Sequence, residues 1–217
     1  MDRKAVLSAV QKALEQGKGK RKFTQSVELA INLQNLDLSI PKNRIDEEVL
    51  LPKGRGRTPK IAVFATGELA VKAKKVADLV IPPEEIEKIA SDKRRAKKLA
   101  SEYSFFLAEA PLMPTIGKTL GQVLGPRGKM PRALPPNADP TNVCNNLRNS
   151  VRVRSRDRPT FHTAVGTEAM SPEDLADNAS LVLERIQVKL ERGRFNLGSV
   201  YVKTSMGPAV KVEEGEK

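Results

Sequence analysis

The sequence has few of the residues on which most enzyme and metal sites depend. Among its 217 residues there is no Trp, one Cys and one His. Cys144 has no second cysteine for an internal disulfide, which is typical of a reducing compartment. Cys144 and His162 are too few for a zinc site, and a His-dependent mechanism would rest on one residue. We therefore expect no metal, no cofactor and no catalysis.

Long apolar runs and aromatic side chains are also scarce. No run of about 18 apolar residues is present, so we expect no membrane-spanning helix and no membrane partner. Aromatic residues make up 4% of the chain. A row of aromatic rings that stack on successive unpaired bases is therefore not expected.

Positive charge, in contrast, is abundant. There are 38 Lys and Arg against 26 Asp and Glu, a formal net charge of +12, and the isoelectric point is about 9.9. Such a balance indicates a polyanionic partner. Nucleic acid is the partner that we expect, and an anionic membrane surface is the competing interpretation that we do not adopt.

Three segments near the two ends of the chain predict one-sided strands. In residues 23–33, 160–165 and 199–204, apolar and polar side chains alternate, as in strands with one buried side. By this alternation Phe23 lies on the buried side, although a residue at the start of a strand can turn outward. An amphipathic stripe in residues 4–14 predicts a helix, and a second helix is predicted to begin at Ser171.

The middle of the chain has a different pattern. The apolar runs KIAVFAT, DLVIP and YSFFLAEA alternate with helical stretches, which predicts a parallel sheet covered on both faces. Basic segments at 51–60 and 151–159 are predicted as linkers. The predicted fold class is therefore α/β with two domains. A split α+β domain (1–60 and 154–217) would contain an inserted three-layer α/β domain (61–153).

The polar sides of the three one-sided strands would form one surface if the strands share a sheet. This surface would contain Thr24, Ser26, Glu28, His162, Ser199, Tyr201, Lys203 and Ser205. Short hydroxyl side chains allow close approach of a backbone, and Glu28 can accept a hydrogen bond from a ribose 2′-OH. The pattern favours a structured RNA, but an ordinary solvated sheet face has the same pattern.

The last strand ends in the unusual segment TSMGP at 204–208. An exposed Met206 could lie against a sugar edge, and Gly207 would leave room beside it. On this hypothesis Gly207→Val blocks RNA binding and leaves the melting temperature almost unchanged. The alternative is a tight turn with Met206 in the core.

A Gly- and Pro-rich loop, LGPRGKMP at 124–131, is the second unusual segment. Its residues Gly125, Arg127, Gly128 and Lys129 could hold a phosphate. A P-loop, however, would require glycine at position 123, where the sequence has Val123. The loop is therefore either a rigid structural element or a second RNA contact.

Four segments in order resemble a known family. They are KFTQSVEL at 22–29, LGPRGKMP at 124–131, FHTAVG at 161–166 and SVYVKTSMGP at 199–208, and they resemble the L-one family (stalk protein) of the large ribosomal subunit in its archaeal form. The resemblance covers essentially the whole chain. It implies two domains joined by a hinge, the first split by insertion of a Rossmann-like second domain.

The resemblance also implies function and partners. The split domain would bind large-subunit rRNA and form a mobile stalk near the tRNA exit site, with the exit-site tRNA as a transient partner. Family members also repress translation by binding a similar structure in their own mRNA. The implied protein is a non-enzymatic, cytoplasmic component of the ribosome and a monomer when free. A nucleotide-dependent enzyme that uses the inserted domain is the alternative, supported only by fold analogy.

The family's RNA-contacting positions can be matched to this sequence one by one. They fall on Lys22, Phe23, Ser26, Glu28, His162, Thr163, Thr167, Ser199, Ser205, Met206 and Gly207. Independently of the resemblance, Lys18, Lys20 and Arg21 would add phosphate contacts beside them.

Overall fold

The computed structural model describes residues 2–19, 21–135, 138–155 and 158–213. The helices are α1 (Arg3–Gly17), α2 (Gly67–Lys74), α3 (Pro83–Ser91), α4 (Lys93–Glu102), α5 (Met113–Thr119), α6 (Gly121–Leu124), α7 (Pro140–Asn149) and α8 (Pro172–Lys189). The strands are β1 (Ser26–Leu33), β2 (Asp46–Leu50), β3 (Ile61–Phe64), β4 (Leu79–Ile81), β5 (Phe105–Glu109), β6 (Arg132–Leu134), β7 (Ser150–Arg154), β8 (Thr160–Thr167), β9 (Leu197–Thr204) and β10 (Val210–Lys211). The predicted mixed α/β class is confirmed.

The chain divides into two compact units. Met1–Arg57 and Asn149–Lys217 form one, called here the split unit, and Thr58–Arg148 form the other, the middle unit. The predicted limits, 61–153 for the insertion, differ from these by three to five residues. Whether each unit is an independent domain stays a prediction.

The split unit is built on a four-stranded antiparallel sheet in the order β10-β9-β1-β8. In β1, Val27, Leu29 and Ile31 are fully buried and the residues between them are half-buried. The apolar residues of α1 and α8 complete the core on the buried side of the sheet. Each such burial stabilises the fold by about 1.5–3 kcal/mol, and a shift of one residue would expose them all. The one-sided pattern therefore fixes the register of β1.

The start of α8 agrees with the sequence prediction, and the start of α7 has the same proline feature. Ser171 is the N-cap of α8, and its hydroxyl accepts a hydrogen bond from the backbone N–H of Asp174 at 3.1 Å. Pro172 and Pro140 are the first residues of α8 and α7. Proline is tolerated at this position because the first N–H groups of a helix have no intrahelical partner.

A buried asparagine on α8 anchors the segment that follows β2. Asn178 is fully buried. Its Nδ2 donates to the carbonyl oxygens of Gly54 at 2.8 Å and Val165 at 2.9 Å, and its Oδ1 accepts from the N–H of Lys53 at 3.1 Å. The first predicted linker is therefore held against the core of the split unit over part of its length.

The prediction of a linker at 151–159 is wrong for the first half of this segment. Residues Ser150–Arg154 form β7, which pairs with β2. The side chain of Arg152 donates to Asp46 at 2.7 and 2.8 Å, and Nε of Arg154 lies 3.4 Å from the same carboxylate. The bond from Arg152 is the main cause that lowers the pKa of Asp46. The pairing was missed because the interacting residues, such as Asp46 and Arg152, are 106 positions apart in the chain. Arg156 and Asp157 lie outside the described residues.

The middle unit contains a four-stranded parallel sheet in the order β4-β3-β5-β6. Alternate residues of β3 enter two different cores. Phe64 packs among residues of α3 to α6, whereas Val63 packs among residues of α2 and α7, including Cys144. Burial raises the pKa of the Cys144 thiol. The sheet is therefore covered on both faces, in the three-layer arrangement that was predicted.

We predict that Asn178→Ala lowers the free energy of unfolding by about 2–4 kcal/mol. The change removes three hydrogen bonds and leaves the buried carbonyl group of Val165 and the half-buried one of Gly54 without their donor. Urea unfolding of the full chain measures the loss. Ser180→Ala on the same helix is the matched control, because its hydroxyl is buried without a hydrogen-bond partner among the described residues. Equal losses in the two variants would contradict the anchoring role of Asn178.

Candidate nucleic-acid interface

The sheet of the split unit has one side that is not covered by its core. The outward side chains, called here the polar face, are Ser26, Glu28, Ala30 and Asn32 of β1, Thr160, His162 and Ala164 of β8, and Ser199, Tyr201 and Lys203 of β9. In the register, Ala30 lies between His162 and Tyr201, and Glu28 lies between Ala164 and Lys203. The centre of the face therefore has short side chains and is recessed relative to the longer polar side chains around it.

Hydrogen bonds fix the hydroxyl groups at one end of the polar face. Nδ2 of Asn32 donates to Oγ of Ser199 at 2.7 Å, and Oγ1 of Thr160 donates to Oδ1 of Asn32 at 2.7 Å. Ser199 accepts in this bond, so its own proton can be donated to a ligand. Asn32 was not among the predicted site residues, although it lies on the polar side of the alternation.

The other end of the polar face is closed by the turn after β9. The N–H of Ser205 donates to the carbonyl oxygen of Ser26 at 3.0 Å, and the N–H of Ser26 donates to Oγ of Ser205 at 3.2 Å. Met206, the next residue, is 59% exposed. The turn thus presents a large apolar side chain beside two serines, and the alternative of a core Met206 is wrong.

Phe23 is also exposed, so its assignment to the buried side is wrong. Its exposed fraction is 53%. The reason is that β1 begins at Ser26, so the alternation of β1 does not extend back to residue 23. Lys22 and Thr24 are exposed as well. Phe23 therefore remains available for the contact that the family resemblance implies.

Gln25 is a buried residue of the interface that the sequence analysis missed. Its exposed fraction is 1%. Its Nε2 donates to the carbonyl oxygen of Gly17 at 3.1 Å and to Glu168 at 3.0 Å, and its Oε1 accepts from the N–H of Met206 at 3.0 Å. Gln25 thus joins the end of α1, the end of β8 and the turn after β9. The available signal was a polar residue at a position where the alternation calls for an apolar one.

Gly207 has an internal role that the sequence analysis did not foresee. A Cβ atom at Gly207 would meet Oγ1 of Thr204 and would lie 3.2 Å from Cα of Gly17. A Cβ atom at Gly17 would also meet the Thr204 side chain, 2.8 Å from its Cγ2. The two glycines enclose Thr204, and this packing argues against the expectation that Gly207→Val leaves the melting temperature unchanged.

Two predicted site residues are buried rather than presented on the polar face. Thr163 is 4% and Thr167 is 3% exposed. Within the part of the chain that the structure describes, neither hydroxyl has a hydrogen-bond partner. A direct RNA contact of these two residues stays a prediction, and their burial does not support it.

The cations near the polar face come from the segment after α1. Lys18, Arg21 and Lys22 are exposed, and Lys20 lies outside the described residues. Lys203, on the face itself, lies opposite Glu28. The positive charge is therefore concentrated at the Lys22 end of β1.

The loop at 124–131 uses its polar groups within the middle unit. Nη1 of Arg127 donates to the carbonyl oxygen of Lys97 at 3.1 Å, and Nζ of Lys129 donates to those of Ala100 and Tyr103, both at 2.8 Å. Gly128 has φ of 68°, which favours glycine. Burial is the main cause that lowers the pKa of Lys129. These contacts favour the structural interpretation of the loop, and its service as a second RNA contact stays a prediction.

The described ranges contain neither a candidate metal centre nor a membrane-spanning helix. No group of three or more His, Cys, Asp or Glu side chains there could hold a metal ion. No helix among those residues is long and apolar enough to span a membrane.

Comparison with known proteins adds independent evidence. The model of the "Ribosomal protein L1p/L10e family" matches residues 10–208. A "Large ribosomal subunit protein uL1" of Methanocella arvoryzae is 58% identical over 213 residues, which cover 98% of this chain and 100% of the relative. Proteins of the same name from Methanothrix thermoacetophila and Thermoplasma acidophilum are 56% and 54% identical. These matches cover 94% and 91% of this chain, and 96% and 91% of the relatives.

We predict that Gly207→Val destabilises the protein by about 1–3 kcal/mol, the usual cost of an overpacked site. Thermal unfolding followed by circular dichroism measures the effect. Gly207→Ala, which adds only the Cβ atom, should also lower the stability. Adding Thr204→Ala to this variant should restore part of the lost stability, because it removes the Oγ1 atom that the new Cβ meets. Gly117→Ala is the control, since nothing lies within 4 Å of a Cβ there. A Gly207→Val protein that melts like the wild type would refute this account.

Proposed function

The chain belongs to the ribosomal protein L1p/L10e family, and from this premise we propose that it binds large-subunit ribosomal RNA through the polar face and the turn at Met206. It is a ribosomal protein of the large subunit, related to archaeal proteins over nearly its whole length. The family is not one of enzymes, so the alternative of a nucleotide-dependent enzyme is wrong.

The observation that supports the site best is the low centre of the polar face. Ala30 lies between His162 and Tyr201 on neighbouring strands, so no long side chain of β1 prevents close approach there. Proteins recognise folded RNA largely through its shape and through contacts to sugars and phosphates. A low surface bordered by hydrogen-bonding groups suits this mode of binding better than a deep pocket would.

The polar groups on the face suit ribose. Ser199 can donate its hydroxyl proton, and Glu28 offers a carboxylate that can accept from a 2′-OH. A 2′-OH both donates and accepts, and it distinguishes RNA from DNA. The pair of Glu28 and the opposing Lys203 would thus provide an acceptor for a sugar next to a cation for a phosphate.

The exposed apolar residues at the Lys22 end suit the faces of bases and sugars. Phe23 and Met206 are both more than half exposed. Stacking of a base on an aromatic ring contributes about 1–3 kcal/mol, and a thioether can lie flat on an apolar edge. Lys22 beside them would contact phosphate, with an affinity that falls as salt rises.

The finer parts of the function rest on the family resemblance. We propose that the bound RNA element forms the mobile stalk near the tRNA exit site, where tRNA is a transient partner. We also propose that the same face binds a similar structure in the protein's own mRNA and represses its translation. If one face binds both RNAs, the rRNA and the mRNA compete for it. This competition would be the physical basis of translational repression by the protein.

The split unit is proposed to be a domain that binds RNA by itself. The N–H of Leu51 donates to the carbonyl oxygen of Asn149 at 3.0 Å, so the two segments of the unit come together where the middle unit is inserted. We predict that residues 1–57 joined to 149–217 by a short Gly-Ser linker fold cooperatively and bind the RNA that the full chain binds. Binding retained only by residues 58–148 would overturn this proposal.

Crosslinking to total cellular RNA, followed by sequencing of the attached fragments, tests the ligand. We predict that the full chain, a monomer when free, yields fragments of large-subunit rRNA and of its own mRNA. Attachment chiefly to other RNAs, or to none, would count against the proposal.

Variants locate the contact in the same experiment. Phe23→Ala with Met206→Ala should reduce crosslinking at least about tenfold, since stacking on a single aromatic ring already contributes 1–3 kcal/mol. Phe195→Ala with Val188→Ala is the matched control, because these residues of the same unit are 80% and 84% exposed. A similar loss in both pairs would show that Phe23 and Met206 do not form a specific part of the RNA site.

A further inference from the structure

Helix α4 of the middle unit is unusually basic. Its sequence, KRRAKKLASE, has five Lys or Arg among the first six residues, and only Ala96 and Ala100 are buried. On a helix of 3.6 residues per turn, four of the basic residues fall within an arc of about 140°, which begins next to Ala100 and ends on the side opposite the two alanines. These four exposed residues, called here the basic stripe, are Lys93, Arg94, Lys97 and Lys98.

Among the described residues, the basic stripe makes none of the close ion pairs that such residues commonly form. The acidic helix α3 reaches Arg95, which lies outside the stripe and 3.7 Å from Glu85. Glu102, one turn after Lys98, forms its ion pair with Lys60 at 2.8 Å, and Lys98 contributes only the smallest of the causes that lower the pKa of Glu102. Among the residues placed by the structure, none of the four is in an ion pair within 4 Å.

The spacing of the stripe works against helix stability. Lys93 and Lys97 are four residues apart, and so are Arg94 and Lys98, so both pairs place like charges side by side. A helix gains nothing internally from this arrangement. An external polyanion would relieve the repulsion in both pairs at once.

The loop at 124–131 adds a fixed cation to the stripe. Nη1 of Arg127 donates to the carbonyl oxygen of Lys97 and, at 2.9 Å, to Oγ of Ser101. Both bonds use one nitrogen, and Arg127 is exposed. Its Nε and Nη2 can therefore form the two-pronged contact by which guanidinium binds phosphate.

We propose that the basic stripe and Arg127 form a second RNA-binding surface, which contacts the phosphate backbone without reading sequence. All five groups are cations, and cations that contact phosphate position an RNA without specifying its bases. A membrane is disfavoured because the apolar residues Ala96 and Ala100 are packed in the core, whereas a membrane-bound helix exposes its apolar side. The inference rests on the proposed function only in naming RNA as the polymer.

Lysine footprinting of the full chain tests the surface. The probe is an RNA duplex of about 20 base pairs and arbitrary sequence. An amine-reactive reagent labels accessible lysines, and mass spectrometry measures the labelled fraction at each position. In low salt we expect the duplex to reduce labelling of Lys93, Lys97 and Lys98 several-fold, with recovery in high salt. Lys74 and Lys75, exposed at the C-terminal end of α2, should be labelled equally with and without RNA. Unchanged labelling of the stripe would overturn the proposal.

Charge variants separate the stripe from overall charge. The triple variant Arg94→Gln, Lys97→Gln and Lys98→Gln should weaken binding of the duplex about tenfold or more. It should also reduce the slope of log binding constant against log salt concentration by about two to three. Lys72→Gln with Lys74→Gln and Lys75→Gln removes the same charge from α2 and should change neither. Equal effects of the two variants, or binding to phosphatidylserine vesicles in place of RNA, would overturn the proposal.

The footprint also separates this inference from the proposed function. Lys22 reports the polar face in the same experiment. Protection of Lys97 and Lys98 with Lys22 unprotected would show that the stripe binds RNA independently of the polar face, whereas failure of the proposed function would appear in the crosslinking experiment with cellular RNA. The melting temperature of the stripe variant should not fall, because glutamine forms helices well and the like-charge pairs are removed.

Discussion

The position of β1 between two antiparallel neighbours constrains the rest of the split unit. Each of its backbone edges is hydrogen-bonded, to β8 on one side and to β9 on the other. Once Val27, Leu29 and Ile31 are buried against α1 and α8, the residues between them must face outward. The composition of the polar face is therefore a consequence of core packing. A one-residue slip in β1 would destroy the core and the face together.

The turn after β9 shows how tertiary contacts prepare a surface for binding. Ser205 and Ser26 are 179 positions apart and yet bond through main chain and side chain. Gln25 and the enclosed Thr204 hold the same turn from beneath. Fixed backbone of this kind lowers the entropy that a ligand must remove when it binds. The exposure of Met206 is thus a structural property of the turn and does not reflect a loose chain end.

The positive charge of the chain serves two different purposes. Some cations stabilise the fold, as Arg152 does with Asp46 and Lys129 does at the end of α4. Others, such as Lys22 and the basic stripe, are exposed. Net charge alone indicated a polyanionic partner but could not distinguish the two groups. The distinction depends on which carboxylates and carbonyl groups the fold brings within reach.

Sequence by itself determined the features that follow from local patterns: the alternation of β1, the cap at Ser171, the parallel sheet of the middle unit and the four segments that identify the family. It could not determine contacts between distant positions, because no local pattern records which residue will lie opposite another. The pairing of β2 with β7, the buried role of Gln25, the outward position of Phe23 and the space around Gly207 were decided only by tertiary structure. In each case the deciding quantity is a packing or hydrogen-bond contact between segments that the chain brings together only when it folds.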